Sequence, residues 1–332
     1  MMSCVLSLWR GIAQRGIAPV LAAALSLLPL APLHAATQWH VAVGAESRDQ
    51  GIQLNEFFSN ELFINAGDSV TWTFETGEIH TVTFLSGGPR PPLVIVGPSG
   101  PQFNPVAAAP AGGPTYNGIG YVNSGVLAQG APPFTLTFTQ AGDFPYVCLI
   151  HMKMTGVIHM RPAGTPYPHD QTFYDRQAHV EIARLLGRGA RLQAQGLVAA
   201  VRAPGHTAVT SGIGEFLEDG SIAVMRFLPE KLVVRAGQTV VWTNLDPETP
   251  HTITFGPEPA GGPLGAFAPA GTDGPGHATI SAPGQAVNSG FVGADFPFGT
   301  TFSVTFTKPG TYPYICALHD ELGMVGTIVV VP

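Results

Sequence analysis

The chain has 332 residues, enough for two domains. Charged residues make up 11% of the sequence, against about 25% in an average soluble domain, whereas glycine (41) and proline (31) are abundant. The formal net charge is −7 and no basic cluster is present, so nucleic acids are excluded as expected partners. This composition favours short strands joined by many turns over helical repeats or coiled coils.

The first 36 residues have the pattern of a secretory signal peptide. Arg10 and Arg15 precede an apolar run over residues 17–30, and the small residues Ala35 and Ala36 follow. The run is too short to span a bilayer comfortably, so a membrane-spanning anchor is disfavoured. We therefore expect a periplasmic or otherwise exported protein from which residues 1–36 are cleaved.

The remaining chain contains one domain-length pattern twice. Matching segments occur in the same order in both halves, which predicts one domain used in duplicate. The segments are 62–72 (LFINAGDSVTW) with 232–242 (LVVRAGQTVVW), 79–84 (IHTVTF) with 250–255 (PHTITF), 123–125 (NSG) with 288–290 (NSG), and 134–138 (FTLTF) with 302–306 (FSVTF).

Alternating apolar and polar residues within each copy predict half-buried β-strands. The runs Val70-Thr-Trp72-Thr-Phe74 and Phe302-Ser-Val-Thr-Phe306 have period two, and Gly and Pro bound such runs. Many short strands with no helix between them favour a sandwich closed by Greek-key connections. The predicted fold class is therefore all-β, with two Greek-key β-sandwich domains at residues 37–162 and 205–332.

A different pattern lies between the two copies, at residues 163–204. Apolar residues at positions 182, 185 and 186 keep helical spacing, and Asp170 or Thr172 is suited to cap the N-terminus. Gly187 and Gly189 are expected to interrupt the helix. We predict a short helical connector that packs against one or both sandwiches.

The most informative repeated motif places a cysteine and a histidine three residues apart. Tyr146-Val-Cys148-Leu-Ile-His151 recurs as Tyr314-Ile-Cys316-Ala-Leu-His319, and a Met-x-Gly follows each. Thiolate, imidazole and thioether are soft ligands that favour copper over magnesium or calcium. A disulfide between equivalent positions of two separate domains is disfavoured by geometry, so a bound metal is the better explanation for two cysteines in an exported chain.

One distant histidine completes each ligand set. It follows the strand that carries the repeated tryptophan, and it recurs in both copies. Two histidines and a cysteine in a plane, with a weak axial methionine, form the geometry of blue-copper electron-transfer sites. The predicted ligands are His80, Cys148, His151 and Met154 for copper site 1, and His251, Cys316, His319 and Met324 for copper site 2.

Both halves resemble cupredoxins, the plastocyanin and azurin family of small copper proteins. Cys316-x2-His319-x4-Met324 has the loop spacing of plastocyanin and pseudoazurin, whereas Cys148-x2-His151-x2-Met154 resembles the tighter loop of amicyanin. The resemblance covers most of the chain after residue 36, except the connector and two Gly/Pro-rich insertions near residues 87–120 and 256–286. It implies two type 1 copper ions, one per domain, that carry single electrons between redox partner proteins.

The shorter loop of the first copy contains two methionines, Met152 and Met154. The segment that follows Met154, MTGVI, matches the segment MVGTI that begins at Met324. This match selects Met154 as the axial ligand and leaves Met152 as a packing residue. The unequal loops also predict that the two copper ions differ in reduction potential.

Two alternatives to an electron carrier remain open. Two-domain copper nitrite reductases and small laccases resemble this chain in domain count, but they carry a histidine directly before the copper-binding cysteine. Val147 and Ile315 occupy those positions here, so the link to a catalytic copper is missing and an enzyme is disfavoured. A periplasmic copper carrier without a redox role is the second alternative, although a closed site of four ligands is suited to retain its ion.

The resemblance also implies where electrons enter and leave. The edges of His151 and His319 are expected at the surface, and their apolar neighbours are expected to form a docking patch. The net negative charge of the chain would attract a basic redox partner. The expected patch residues are Leu149, Met152, Ala317 and Leu318. The sequence does not determine whether electrons pass between the two copper ions.

Overall fold

The computed structural model describes residues 36–97, 100–203 and 207–332. The predicted signal peptide therefore lies outside the described residues, apart from its last residue, as does the predicted start of the second domain at Gly205. Within the described ranges, no helix is both long and apolar enough to cross a membrane.

The described residues are mainly β-strand, which confirms the predicted fold class. The first copy contains β1 (Gln38–Glu46), β2 (Ile52–Phe58), β3 (Glu61–Asn65), β4 (Ser69–Phe74), β5 (Thr83–Phe84), β6 (Val94–Gly97), β7 (Gly100–Phe103), β8 (Thr115–Tyr116), β9 (Val122–Asn123), β10 (Phe134–Phe138), β11 (Gly142–Val147) and β12 (Thr155–Arg161). A short helix, α1 (Pro105–Ala108), lies in the first insertion.

The second copy repeats this order of strands without counterparts of β6 and β7. It contains β13 (Ala208–Phe216), β14 (Ser221–Leu228), β15 (Lys231–Arg235), β16 (Thr239–Leu245), β17 (Thr254–Phe255), β18 (His277–Ile280), β19 (Val287–Asn288), β20 (Thr301–Phe306), β21 (Gly310–Ile315) and β22 (Val325–Val331). Two 3₁₀ segments, Gly262–Ala266 and Asp320–Leu322, lie in its loops. The boundaries at residues 162 and 205 stay predictions.

Each copy is a sandwich of two sheets around its own core. In the first copy, the strand order β3-β12-β11-β5-β9 packs on β2-β1-β4-β10-β8; in the second, β15-β22-β21-β17-β19 packs on β14-β13-β16-β20-β18. Trp72 and Trp242 are fully buried between the sheets. The two orders match strand for strand, so the sequence repeat is a repeat of topology.

The two sandwiches share one continuous sheet because β2 pairs with β14. The pairing is antiparallel, with Leu54 opposite Ile222 and Ile52 opposite Val224. These two strands are equivalents in the two copies. The junction therefore has approximate two-fold symmetry, as in the self-complementary interface of a symmetric dimer.

The connector is longer than the sequence predicted. It forms α2 (Gln171–Arg202), and the side chain of Asp170 caps it by accepting a hydrogen bond from the Phe173 N–H at 2.8 Å. The expected interruption at Gly187 and Gly189 is wrong, because the helix continues through both. A Cβ at Gly189 would overlap Cγ2 of Ile52, so this glycine allows close packing on the sheet.

Helix α2 covers the junction between the two sandwiches. Leu185 and Leu192 are buried in one cluster with Leu54 of the first copy and with Ile222 and Leu228 of the second. The connector was expected to pack against one or both sandwiches, and it packs against both. Burial of this apolar cluster fixes one copy against the other.

Candidate metal centres

The predicted ligands of the first site converge in the interior. The Nδ1 atoms of His80 and His151 are 3.1 Å apart, and the Cys148 sulfur lies 3.8 Å from Nδ1 of His151. All three side chains are buried. Ligands bound to one ion at about 2.0–2.3 Å are separated by roughly 3–4 Å, so this trio fits one soft metal ion.

The second site has the same geometry. The Nδ1 atoms of His251 and His319 are 3.2 Å apart, and the Cys316 sulfur lies 3.8 Å from the first and 3.4 Å from the second. Two groups of this kind, one per copy, are present among the described residues. Both cysteines are free thiols rather than disulfide partners.

A short backbone bridge closes each metal loop. The Cys148 N–H donates to the Met154 carbonyl at 2.9 Å, and the Cys316 N–H donates to the Met324 carbonyl at 3.0 Å. Met154 and Met324 are fully buried with their cysteines, whereas Met152 is 59% exposed. This burial supports the choice of Met154, and the axial role of both methionines stays a prediction.

The repeated Thr-x-Thr segment anchors the cysteine loop in the first copy. Thr81 Oγ1 accepts a hydrogen bond from the Leu149 N–H at 2.8 Å and lies 3.0 Å from Thr83 Oγ1. Thr83 in turn donates to the side chain of Asn123 at 2.9 Å. The hydroxyl chain therefore ties the residue after Cys148 to the interior of the sandwich.

The second copy repeats this chain atom for atom. Thr252 Oγ1 accepts from the Ala317 N–H at 2.7 Å and lies 2.9 Å from Thr254 Oγ1, which donates to Asn288 at 2.9 Å. The sequence showed the repeated Thr-x-Thr and Asn-Ser-Gly segments but not their role. Their recurrence next to a ligand histidine was the available signal.

A glycine lies against the first histidine of each site. Gly44 and Gly212 have positive φ angles of 70° and 82°, and each lies where the register of its strand shifts. A Cβ at Gly44 would lie 2.7 Å from Nε2 of His80, and one at Gly212 would overlap the ring of His251. These bulges bend β1 and β13 around the imidazoles. The sequence reasoning missed them.

The imidazole ligands are held in the state that binds a cation, whereas the cysteine thiols must first lose a proton. Burial lowers the pKa of His151 and His319 to about 3, so both imidazoles are neutral and keep a lone pair. Burial raises the pKa of the Cys148 thiol, and it raises that of Cys316 to about 11. Metal binding would therefore drive deprotonation of each thiol.

Backbone N–H groups point at each sulfur. Cys148 Sγ accepts from the N–H groups of Thr81 and Ile150, both at 3.4 Å, and Cys316 Sγ accepts from the Thr252 N–H at 3.3 Å. Such donors stabilise negative charge on sulfur. The donor set and its surroundings thus fit a thiolate-bound metal.

The two centres face each other across the junction between the copies. Nε2 of His151 lies 3.9 Å from one carboxylate oxygen of Glu78, and Nε2 of His319 lies 3.7 Å from the other. The expectation that both imidazole edges lie at the surface is wrong, because His151 is 3% and His319 6% exposed. Glu78 belongs to the first copy, so the ring edge of His319 is approached from the opposite copy.

The expected docking patch is also mostly wrong. Leu149 and Ala317 are buried, Leu318 is partly buried, and Met152 alone of the four expected residues is well exposed. Met152 N–H donates to Glu248 of the second copy at 2.5 Å. The neighbours of the ligands thus serve contacts within the chain.

The two insertions form the walls of a cavity in front of both histidines. Its volume is about 390 Å³, and it contains the edges of His151 and His319 together with Glu78. In the first insertion, Arg90 donates to the Cys148 carbonyl at 3.2 Å. In the second, Phe267 packs in a cluster with residues of the second metal loop. This gives the insertions a structural role that the sequence left open.

Glu78 is the functional residue that sequence reasoning missed most clearly. Its side chain is 8% exposed, and burial raises its pKa to about 7. It has no counterpart in the second copy, where Thr249 lies two residues before His251. A carboxylate two residues before a ligand, in a chain with few charges, was the only signal.

A family model for copper binding proteins of the plastocyanin/azurin family matches residues 215–331. The chain is 30% identical over 118 residues to plastocyanin of Ginkgo biloba, which covers 35% of this chain and 98% of that protein. It is 33% identical over 118 residues to chloroplastic plastocyanin of Fritillaria agrestis, covering 35% of this chain and 58% of that protein. The chain spans 53 to 58% of the length of three chloroplastic relatives that it matches.

Solved structures also match parts of the chain. Oxidised plastocyanin from Dryopteris crassirhizoma is 26% identical, covers 37% of this chain and 99% of its own length, and has a TM-score of 0.23.

Proposed function

Because this chain belongs to the plastocyanin/azurin family of copper-binding proteins, we propose that it is an exported electron carrier with a type 1 copper ion in each sandwich. Copper is its cofactor, and the chain offers two buried His-Cys-His groups. The observation that carries the proposal is this duplication, since ligand atoms 3.1–3.8 Å apart meet in both copies.

The proposed ligands are those of the sequence prediction. His80, Cys148 and His151, with Met154 as the axial group, hold the first ion; His251, Cys316, His319 and Met324 hold the second. Bound there, copper supplies a one-electron couple between Cu(II) and Cu(I). The ligand sets leave no position reserved for a substrate.

The protein holds the ligand side chains in fixed positions and keeps water away from them. The Thr-Asn chains behind Thr81 and Thr252 fix the cysteine loops to the sandwich interior. Backbone N–H groups stabilise each thiolate, and burial excludes water from the metal-binding atoms. A ligand set that moves little when the charge changes by one favours outer-sphere electron transfer over bond chemistry.

An enzymatic role has weaker support. Val147 and Ile315 stand where a histidine would link a blue copper to a catalytic one. The family resemblance implies an electron carrier, and we propose a periplasmic location and a basic redox partner from the leader pattern and the acidic charge.

Copper stoichiometry and visible spectra test the proposal. The purified wild-type chain is expected to bind two copper ions and to be intensely blue or green when oxidised. Cys148→Ser and Cys316→Ser are each expected to bind one ion tightly and to keep one charge-transfer band. A colourless protein loaded with two Cu(II) ions would instead support a copper carrier without a redox role.

A further inference from the structure

A single carboxylate lies between the two metal centres. Glu78 Oε1 is 3.9 Å from Nε2 of His151, and Glu78 Oε2 is 3.7 Å from Nε2 of His319. The three side chains are 4 to 8% exposed. Glu78 thus lies between one ligand of the first centre and one ligand of the second, although it belongs to the first copy alone.

The chemistry of imidazole makes this arrangement specific. In each metal site Nδ1 points at the other ligands, so Nε2 carries the hydrogen of the neutral ring. Metal-bound histidines commonly donate this second N–H to a carboxylate, which orients the ring and raises its basicity as a ligand. Here two such donors approach one carboxylate from opposite sides.

The other histidine of each site points elsewhere. Nε2 of His80 and Nε2 of His251 are buried without a hydrogen-bond partner, next to Gly44 and Gly212. Another polar contact between the copies involves a backbone atom of a metal loop, since the Met152 N–H donates to Glu248 of the second copy. Glu78 differs because its carboxylate approaches a ligand side chain in each copy.

We propose that this chain exchanges electrons between its own two centres, and that His151, Glu78 and His319 form the connecting path. The inference rests on the proposed function. In the exchange, one electron leaves the reduced centre and enters the oxidised one, so the first gains a positive charge and the second loses one. No bond forms or breaks and no proton leaves.

Burial favours this path. The two imidazole edges and the carboxylate are shielded from solvent by both insertions, so charge on one centre is only weakly screened from the other. A change of charge at one centre therefore acts on the second through the shared carboxylate. Two domains that merely share a chain would lack this coupling.

The first test measures the potential of the second site alone. In a Cys148→Ser background, where the first thiolate is gone, Glu78→Gln is expected to raise the reduction potential of the second site above about pH 8, because the negative charge of the ionised Glu78 carboxylate near His319 is lost. Glu75→Gln, an exposed carboxylate three residues away, is the matched control and is expected to leave it unchanged. An unchanged potential in Glu78→Gln overturns the role of Glu78.

The second test follows exchange in the chain with both copper ions. After a rapid one-electron reduction, the absorption of the two centres is expected to redistribute at a rate independent of protein concentration. Glu78→Leu is expected to slow this redistribution at least tenfold; if that variant fails to fold, the wild-type concentration series still decides. A rate proportional to concentration, or one unaffected by Glu78→Leu, overturns the inference.

The two proposals fail separately. Absence of both blue bands in the wild type would refute the electron-carrier function. Two reversible blue centres that exchange electrons only between molecules would leave that function intact and refute the internal path.

Discussion

Gln53 lies directly opposite Ala223, its own counterpart in the second copy, at the centre of the junction between β2 and β14. The pairs on the two sides of this point are related to each other by the same two-fold, with Ile52 opposite Val224 and Leu54 opposite Ile222. This local two-fold relationship turns the metal loops of both sandwiches toward each other. The meeting of His151 and His319 at Glu78 follows from the register of one strand pair.

Alanine substitutions at two glycines of α2 are expected to change the free energy of unfolding in opposite directions. A Cβ at Gly189 overlaps Ile52, so Gly189→Ala should lower the free energy of unfolding by about 1–3 kcal/mol. A Cβ at Gly187 meets only the flexible end of Arg191 at 3.9 Å, so Gly187→Ala should raise it by up to about 1 kcal/mol. Urea unfolding of both variants measures this. Equal effects would contradict close packing at Gly189.

Replacement of the two methionines in the first loop should separate an axial ligand from a surface residue. Met154 is fully buried beside Cys148, so Met154→Leu removes a thioether donor and should raise the potential of the first site and shift its absorption. Met152 is 59% exposed, and Met152→Leu should leave both unchanged. Spectroelectrochemistry in the Cys316→Ser background isolates this site. A larger effect from Met152 would reverse the assignment.

The hydroxyl of Thr252 should stabilise the second loop measurably. Thr252→Val leaves the buried Ala317 N–H without its acceptor, which should cost about 1–3 kcal/mol of unfolding free energy. Thr252→Ser keeps the oxygen and should recover most of this loss. Denaturant unfolding of the copper-free proteins is the measurement. A Val variant as stable as the wild type would exclude a role for the hydroxyl chain.

Ionisation of Glu56 should lower the free energy of unfolding as pH rises. Burial, with smaller contributions from Glu181 and Asp219, raises its pKa from 4.5 to about 7. The folded state therefore holds this proton more tightly than the unfolded state, so the contribution is full below pH 4.5 and is lost as pH rises through about 7. At most about 3 kcal/mol is involved.

Comparison with Glu56→Gln isolates this contribution, since the amide does not titrate. Between about pH 4 and pH 8, the free energy of unfolding of the wild type should fall relative to that of the variant. A difference that does not depend on pH would show that Glu56 ionises normally in the folded protein.

Local patterns in the sequence were enough to predict the sandwiches and the convergence of three candidate ligands in each copy. His80, Cys148 and His151 recur with His251, Cys316 and His319 in the same order, and each trio does converge. Such motifs lie on adjacent loops of one domain, so the family fold places them together.

The relationship between the copies could not be predicted in the same way. The pairing of β2 with β14 joins strands about 170 residues apart, and alternation of apolar residues does not identify a partner strand. Gly189 was misinterpreted because glycine both ends helices and permits close packing. The burial of His151 depends on this pairing, so the surface position expected from the family resemblance was wrong.

The junction at Gln53 and Ala223 has a consequence for either sandwich in isolation. Each half carries a strand edge that is complementary to its own equivalent, as the antiparallel pairing of equivalents shows. Unpaired edges of this kind recruit other chains. One half separated from the other is therefore expected to associate with a second copy of itself, so the intact chain resembles a dimer whose subunits are joined covalently.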